Sequence, residues 1–134
     1  TMVEPKDRYE AMRRANFLIA ASGTVSLESA LIGTPTIVAY RLSKLTFALA
    51  RRIIDVKFIS LPNLILDEQV FPELLQEQAG APTIAAVGRG WLTAPRTLSG
   101  IRERLAVLRS RMGAPGAPHR AARIILDDMR GLFG

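Results

Sequence analysis

The sequence predicts an α/β fold, a partial parallel β-sheet of the doubly wound kind followed by closing helices. Three observations carry this expectation. Two short apolar runs, residues 17–20 (Phe-Leu-Ile-Ala) and 36–40 (Thr-Ile-Val-Ala-Tyr), read as strands buried on both faces. Each follows a helical segment, at 5–15 and 25–32, and a helix–strand–helix–strand order implies parallel strands joined by right-handed crossovers. Beyond Pro62 every regular element reads as a helix.

In the first helix Pro5 occupies the opening turn, and Tyr9, Met12 and Ala15 recur at helical spacing. The helix at 25–32 meets Gly33, which is placed to end it. Residues 43–54 form a basic amphipathic pattern with Leu45, Leu49 and Ile53 on one face and Phe47 beside them. Residues 58–61 read as extended and are broken by Pro62. A loop over 63–68 and a short helix over 71–78 follow. Ala79-Gly80-Ala81 separates that helix from another at 82–92. Residues 95–112 form a charged helix striped by Leu98, Ile101, Leu105 and Leu108. Residues 113–118 (Gly-Ala-Pro-Gly-Ala-Pro) read as a linker, and 119–133 as a last helix with Ile124, Ile125, Leu126 and Met129 apolar. A complete doubly wound domain has about five or six strands, so this pattern reads as the back half of one.

At 134 residues one domain is expected, and 49% hydrophobic with 22% charged residues is an ordinary globular composition. The chain lacks cysteine, which excludes disulfides and thiolate metal sites, and its single histidine, His119, excludes multi-histidine sites. No metal and no cofactor are expected. The excess of 18 Lys+Arg over 12 Asp+Glu gives a net charge of +6 and favours anionic partners. Basic runs interleaved with aromatics are missing, so nucleic acid is not expected among them. The first ten residues are polar and do not read as a signal peptide, and the uncharged stretch 29–40 is too short to span a bilayer. A cytoplasmic location is expected.

Ser22, Gly23 and Thr24 follow the carboxyl end of the first strand, where open α/β sheets bind ligands. Gly23 lets a phosphate approach the backbone, Thr24 can cap the helix, and Ser22 can donate a hydroxyl. The same three residues also suit a plain strand–helix turn. With Thr24 as the N-cap, the reciprocal capping position is Leu27, so Glu28 is not a capping residue. It lies one turn along on the same face. There a carboxylate either interacts mildly with the helix dipole or accepts both hydroxyls of a ribose.

The run Ala21-Ser-Gly-Thr-Val-Ser-Leu-Glu28, followed by Gly33-Thr-Pro-Thr-Ile-Val-Ala-Tyr-Arg41, resembles the donor-binding domain of GT-B glycosyltransferases. Thr46-Phe47 with Leu49-Ala-Arg-Arg52, Ser60-Leu-Pro-Asn-Leu64 and Pro72-Glu-Leu-Leu-Gln76 make it more specifically similar to the lipid-A-disaccharide synthases. The pieces occur in order across residues 8–78. The sequence departs from that pattern at Leu66-Asp67-Glu68-Gln69, where the family usually carries an Ala-Gly-Arg-like loop.

The resemblance implies a partial Rossmann-like sheet, the C-terminal half of a GT-B fold. Taken with the Gly/Pro-rich run, it gives an expected division into a nucleotide-sugar-binding part at 1–112, a linker at 113–118 and a C-terminal helix at 119–134, although residues 79–134 resemble the family only in being helical. It also implies transfer of diacylglucosamine from its UDP derivative to diacylglucosamine 1-phosphate, with UDP released. Ser22, Gly23, Thr24, Glu28, Arg41, Asn63 and Gln76 become the expected UDP- and substrate-binding residues. Asn63 equally suits an Asx-type loop and Gln76 a solvated surface. Glu73 reads as structural. Lipid substrates also give Arg41, Lys44, Arg51, Arg52 and Lys57 an expected peripheral contact with anionic lipid of the inner membrane. No catalytic base is assigned. The resemblance places it in an N-terminal half, so this polypeptide alone is expected to bind a uridine nucleotide weakly without turnover. The alternatives are another GT-B-like UDP-sugar enzyme and a non-catalytic basic interaction module.

Overall fold

A computed structural model describes residues 2–21, 23–43 and 57–133. A 3-10 turn at Pro5–Asp7 leads into α1 (Arg8–Arg14), β1 (Leu18–Ala20), α2 (Thr24–Ile32) and β2 (Thr36–Tyr40). After residue 57 come α3 (Leu61–Leu66), β3 (Glu73–Leu75), a 3-10 turn (Gln76–Ala79), α4 (Ala81–Thr93), α5 (Pro95–Arg111) and α6 (Ala117–Phe133). The predicted basic helix at 43–54 lies, apart from Ser43, outside the described residues.

Among the described residues the strands form one three-stranded sheet in the order β1-β2-β3. Both pairings are parallel, with Ala20 opposite Val38, Val38 opposite Glu73 and Tyr40 opposite Leu75. The fold is thus a partial Rossmann-like α/β sheet with helices after it, as the sequence predicts. Burial on both faces holds for Thr36, Ile37 and Val38 of β2. It does not hold for β1, which ends the strand order and leaves Ile19 56% exposed.

The third strand falls where the sequence pattern predicts a helix. Glu-Leu-Leu-Gln-Glu-Gln-Ala is a run of good helix formers. Pairing with β2 overrides that propensity, and Pro72 O accepts from Val38 N at 2.9 Å to start the ladder. The apolar run 58–61 is likewise not a strand. Pro62 sits in the first turn of α3, a position that needs no N–H, and the predicted loop after it is helical to Leu66. The third strand therefore lies beyond residue 62, in the part whose regular elements all read as helices.

Alternating residues of β2 face two separate cores. Val38 packs with Ala30 of α2, Leu66 of α3, Val70, Phe71, and Leu105 and Leu108 of α5. Ile37 packs on the other face with Leu74, Trp91 of α4 and Leu98 of α5. The stripe predicted on 95–112 is thus the seam of the molecule, and Ile101 touches both clusters. α6 contributes to neither: its described side chains, 117–130, are all exposed, Ile124 and Ile125 included.

Phe17 closes the second core edge-on to Trp91, with ring centroids 5.6 Å apart. A β-carbon at Gly88 would stand 2.8 Å from Phe17 Cζ. Gly88→Ala should therefore push Phe17 off Trp91 and destabilise the fold by about 1–3 kcal/mol. Chemical denaturation checks this, with Gly90→Ala, where a β-carbon meets nothing within 4 Å, as the control.

Candidate nucleotide-binding edge

Because the strands are parallel, their carboxyl ends share one edge of the sheet. β1 leads through residue 21 to Gly23 and Thr24, β2 leads to Arg41, and β3 leads to Gln76. Four of the predicted site residues are thereby brought to one edge by topology alone. Ser22 lies outside the described residues.

The turn into α2 depends on Gly23, whose φ of 135° and ψ of −159° belong to a region open essentially to glycine. Gly23, not the predicted Thr24, is therefore the N-cap, and Thr24 is the first helical residue. Gly23 O accepts from Ser26 N at 3.2 Å and from Ser26 Oγ at 2.7 Å. The remaining first-turn N–H groups have no partner within the helix, as at any helix start. Buried hydroxyls run from here to the later part of the helix and the amino end of β2: Ser29 Oγ donates to Ser26 O at 2.9 Å, and Thr36 Oγ1 donates to Ser29 Oγ at 2.8 Å.

The Gly33-Thr-Pro-Thr turn fixes the other end of α2. Gly33 ends the helix in the left-handed region, with φ 93°, as predicted. Thr34 N donates to Ser29 O, and Thr34 Oγ1 reaches back to Met12 O of α1 at 2.9 Å. Pro35 O accepts from Leu18 N at 2.8 Å.

Glu28 lies half-buried on α2, with its Oε1 3.6 Å from Arg8 Nη2. Arg8 also donates to the Tyr9 hydroxyl and sits 4.4 Å over the Tyr9 ring. The Tyr9 bond, and next the charge of Glu28, raise the Arg8 pKa above its ordinary value. No sequence motif pointed to Arg8, because its partner lies on another element.

Arg41 Nε donates to Gln76 O at 3.1 Å, and among the described residues no carboxylate pairs with its guanidinium. Gln76 reads the backbone of Leu42 from both sides: Oε1 accepts from Leu42 N at 2.8 Å, and Nε2 donates to Leu42 O at 3.1 Å. It does so from a left-handed backbone with φ 52°, uncommon for a non-glycine residue. Gln76 is neither on a helix of the predicted kind nor a free surface side chain. Arg41, Leu42, Gln76 and Glu77 line an open cleft of about 260 Å³.

Asn63 does not join this edge. It is fully buried, and its Nδ2 donates to Phe71 O and to Glu73 Oε1, both at 2.8 Å. Its Oδ1 accepts from Val70 N at 3.0 Å and from Phe71 N at 2.8 Å. The side chain predicted to meet sugar or phosphate instead pairs wholly within the protein, because the strand start at 71–73 needs partners for its turning backbone. The Glu73 carboxylate also accepts from Ile59 N, Ser60 N and Ser60 Oγ. The departing acidic residues beside it are paired too, Asp67 with Lys57 at 3.1 Å and Glu68 with Arg104.

Among the described residues there is no cluster of acidic, histidine or cysteine side chains suited to a metal ion. None of their helices is long and apolar enough to cross a membrane.

The family model described as lipid-A-disaccharide synthetase matches residues 1–92. The chain belongs to that family. The lipid-A-disaccharide synthase of Trichlorobacter lovleyi is 43% identical over 124 residues, 91% of this chain and 32% of that protein. That of a Synechocystis species is 39% identical over 132 residues, 97% of this chain and 34% of the relative. That of Syntrophus aciditrophicus is 41% identical over 118 residues, 88% and 31% of the two chains. The chain therefore spans about a third of the length of the curated synthases it matches.

Within this family member, Asn63→Ala should leave two N–H groups, a carbonyl and part of a carboxylate without their partner. Stability should fall by about 3–5 kcal/mol, read by urea unfolding. Ser60→Ala, which removes one of several donors to Glu73, should cost only about 1 kcal/mol.

Proposed function

We propose that this chain supplies the UDP-sugar-binding part of a lipid-A-disaccharide synthase. In that reading diacylglucosamine passes from its UDP derivative to diacylglucosamine 1-phosphate and UDP leaves. The observation that carries the proposal is the convergence of Gly23, Thr24, Arg41 and Gln76 at the carboxyl ends of three parallel strands, with Glu28 one turn behind. Family membership and the names of the relatives support the choice of reaction.

Each residue then has a task. The N–H groups at the start of α2, with Ser22, meet the diphosphate, where the helix dipole favours negative charge. Glu28 accepts the ribose hydroxyls. Arg41 stands where its charge can offset the charge that develops on departing UDP. Gln76 holds Leu42 and Arg41 at the cleft rather than meeting the sugar, and Asn63 supports the same edge from within. This chain is assigned binding and leaving-group stabilisation, and no proton transfer. Residues 1–112 form the nucleotide-sugar-binding part, and the 113–118 run, whose last two residues open α6, joins it to that C-terminal helix. Lipid donor and acceptor call for peripheral contact with an anionic cytoplasmic membrane surface, to which the basic residues around 41–57 are suited.

Calorimetric titration with UDP tests the reading. Glu28→Ala removes a charged acceptor of two hydroxyl bonds, so affinity should fall about tenfold or more. An unchanged affinity in that variant, or no binding by the unaltered chain, contradicts it and favours an interaction module.

A further inference from the structure

Glu28 is the one member of the proposed edge whose carboxylate is engaged by another element. Its partner, Arg8, starts α1, while Met12 late in α1 is tied to Thr34 at the other end of α2. α1 therefore lies along α2, with its first residue beside the ribose-facing carboxylate. Arg8 reaches Glu28 Oε1 from one side at 3.6 Å. Tyr9 braces the guanidinium through its hydroxyl and its ring. Among the described residues no other donor holds Glu28.

We infer that Arg8 is a positioning residue for nucleotide recognition: it fixes the Glu28 carboxylate so that Oε2 faces the ribose hydroxyls, and Tyr9 fixes Arg8. A long carboxylate side chain left free samples several rotamers, and ordering it on binding costs affinity. A partner already in place removes that cost. The guanidinium suits the task because its charge is permanent: Nη2, held by the tyrosine hydroxyl, faces the carboxylate as an ion pair. This inference rests on the donor-site reading of Glu28.

The test compares UDP with 2′,3′-dideoxy-UDP, which keeps the base and diphosphate and lacks both ribose hydroxyls. Arg8→Ala should weaken UDP about fivefold, the scale of one partly exposed ion pair, and leave the dideoxy nucleotide unchanged. Arg8→Lys, which keeps a charge near Glu28, should recover part of the loss. In a Glu28→Ala background Arg8→Ala should add nothing, since the two act as one unit. Equal weakening of both nucleotides assigns Arg8 to the diphosphate and overturns the inference. Undiminished UDP binding by Arg8→Ala overturns it as well. If the Ala variant unfolds, Arg8→Lys carries the comparison alone, and loss confined to UDP supports the inference. Failure of the donor-site reading shows separately, as indifference of the unaltered chain to the ribose hydroxyls.

Discussion

The Glu73 carboxylate accepts four hydrogen bonds from a segment that is distant along the chain, namely Ile59 N, Ser60 N, Ser60 Oγ and Asn63 Nδ2. Asn63 completes the arrangement by taking both backbone N–H groups at Val70 and Phe71 and giving its second amide hydrogen to Phe71 O. The start of α3 and the start of β3 are thereby one polar unit, set beside the core of Val38, Leu66 and Phe71. Buried polar groups are tolerable only when paired, and here each partner satisfies the other. The Ser-Leu-Pro-Asn-Leu and Pro-Glu-Leu-Leu-Gln stretches are the two halves of that unit.

What the unit positions is the edge of the sheet. With β3 held against β2, Gln76 arrives where its amide can pair with the Leu42 backbone and its carbonyl can receive Arg41. At the opposite strand, Gly23 bends the chain into α2, and the Ser26–Ser29–Thr36 hydroxyl relay runs along that helix to the amino end of β2. Both sides of the edge are thus fixed through β2. A nucleotide lying across three strand ends would meet preorganised groups, which reduces the ordering cost of binding.

Much of this was legible in the sequence where the signal was local. Gly33 as a helix end, the apolar runs of β1 and β2, and the stripe from Leu98 to Leu108 depend on a few neighbouring residues. Residues 58–78 were not legible, because there tertiary pairing outweighs propensity. A carboxylate, an amide and a parallel neighbour turn a helix-forming run into a strand and a proline-broken run into a helix. The N-cap assignment missed by one residue because backbone conformation, rather than capping chemistry, selects Gly23. Asn63 shows the limit for site residues: a polar side chain after Pro62 reads alike whether it faces a ligand or the protein interior, and only its burial separates the two. Arg8 was invisible for the opposite reason, since its meaning lies in a partner on another helix.

The claim at the centre is that three strand ends and the start of α2 form one nucleotide site. Amide correlation spectra recorded during a UDP titration test it most directly. The site assignment predicts shifts concentrated at Gly23–Glu28, Arg41–Ser43 and Gln76–Gly80, moving together with a single apparent Kd and sparing α6. Shifts confined to α6, or scattered without the α2 start and the Gln76 turn, would contradict it.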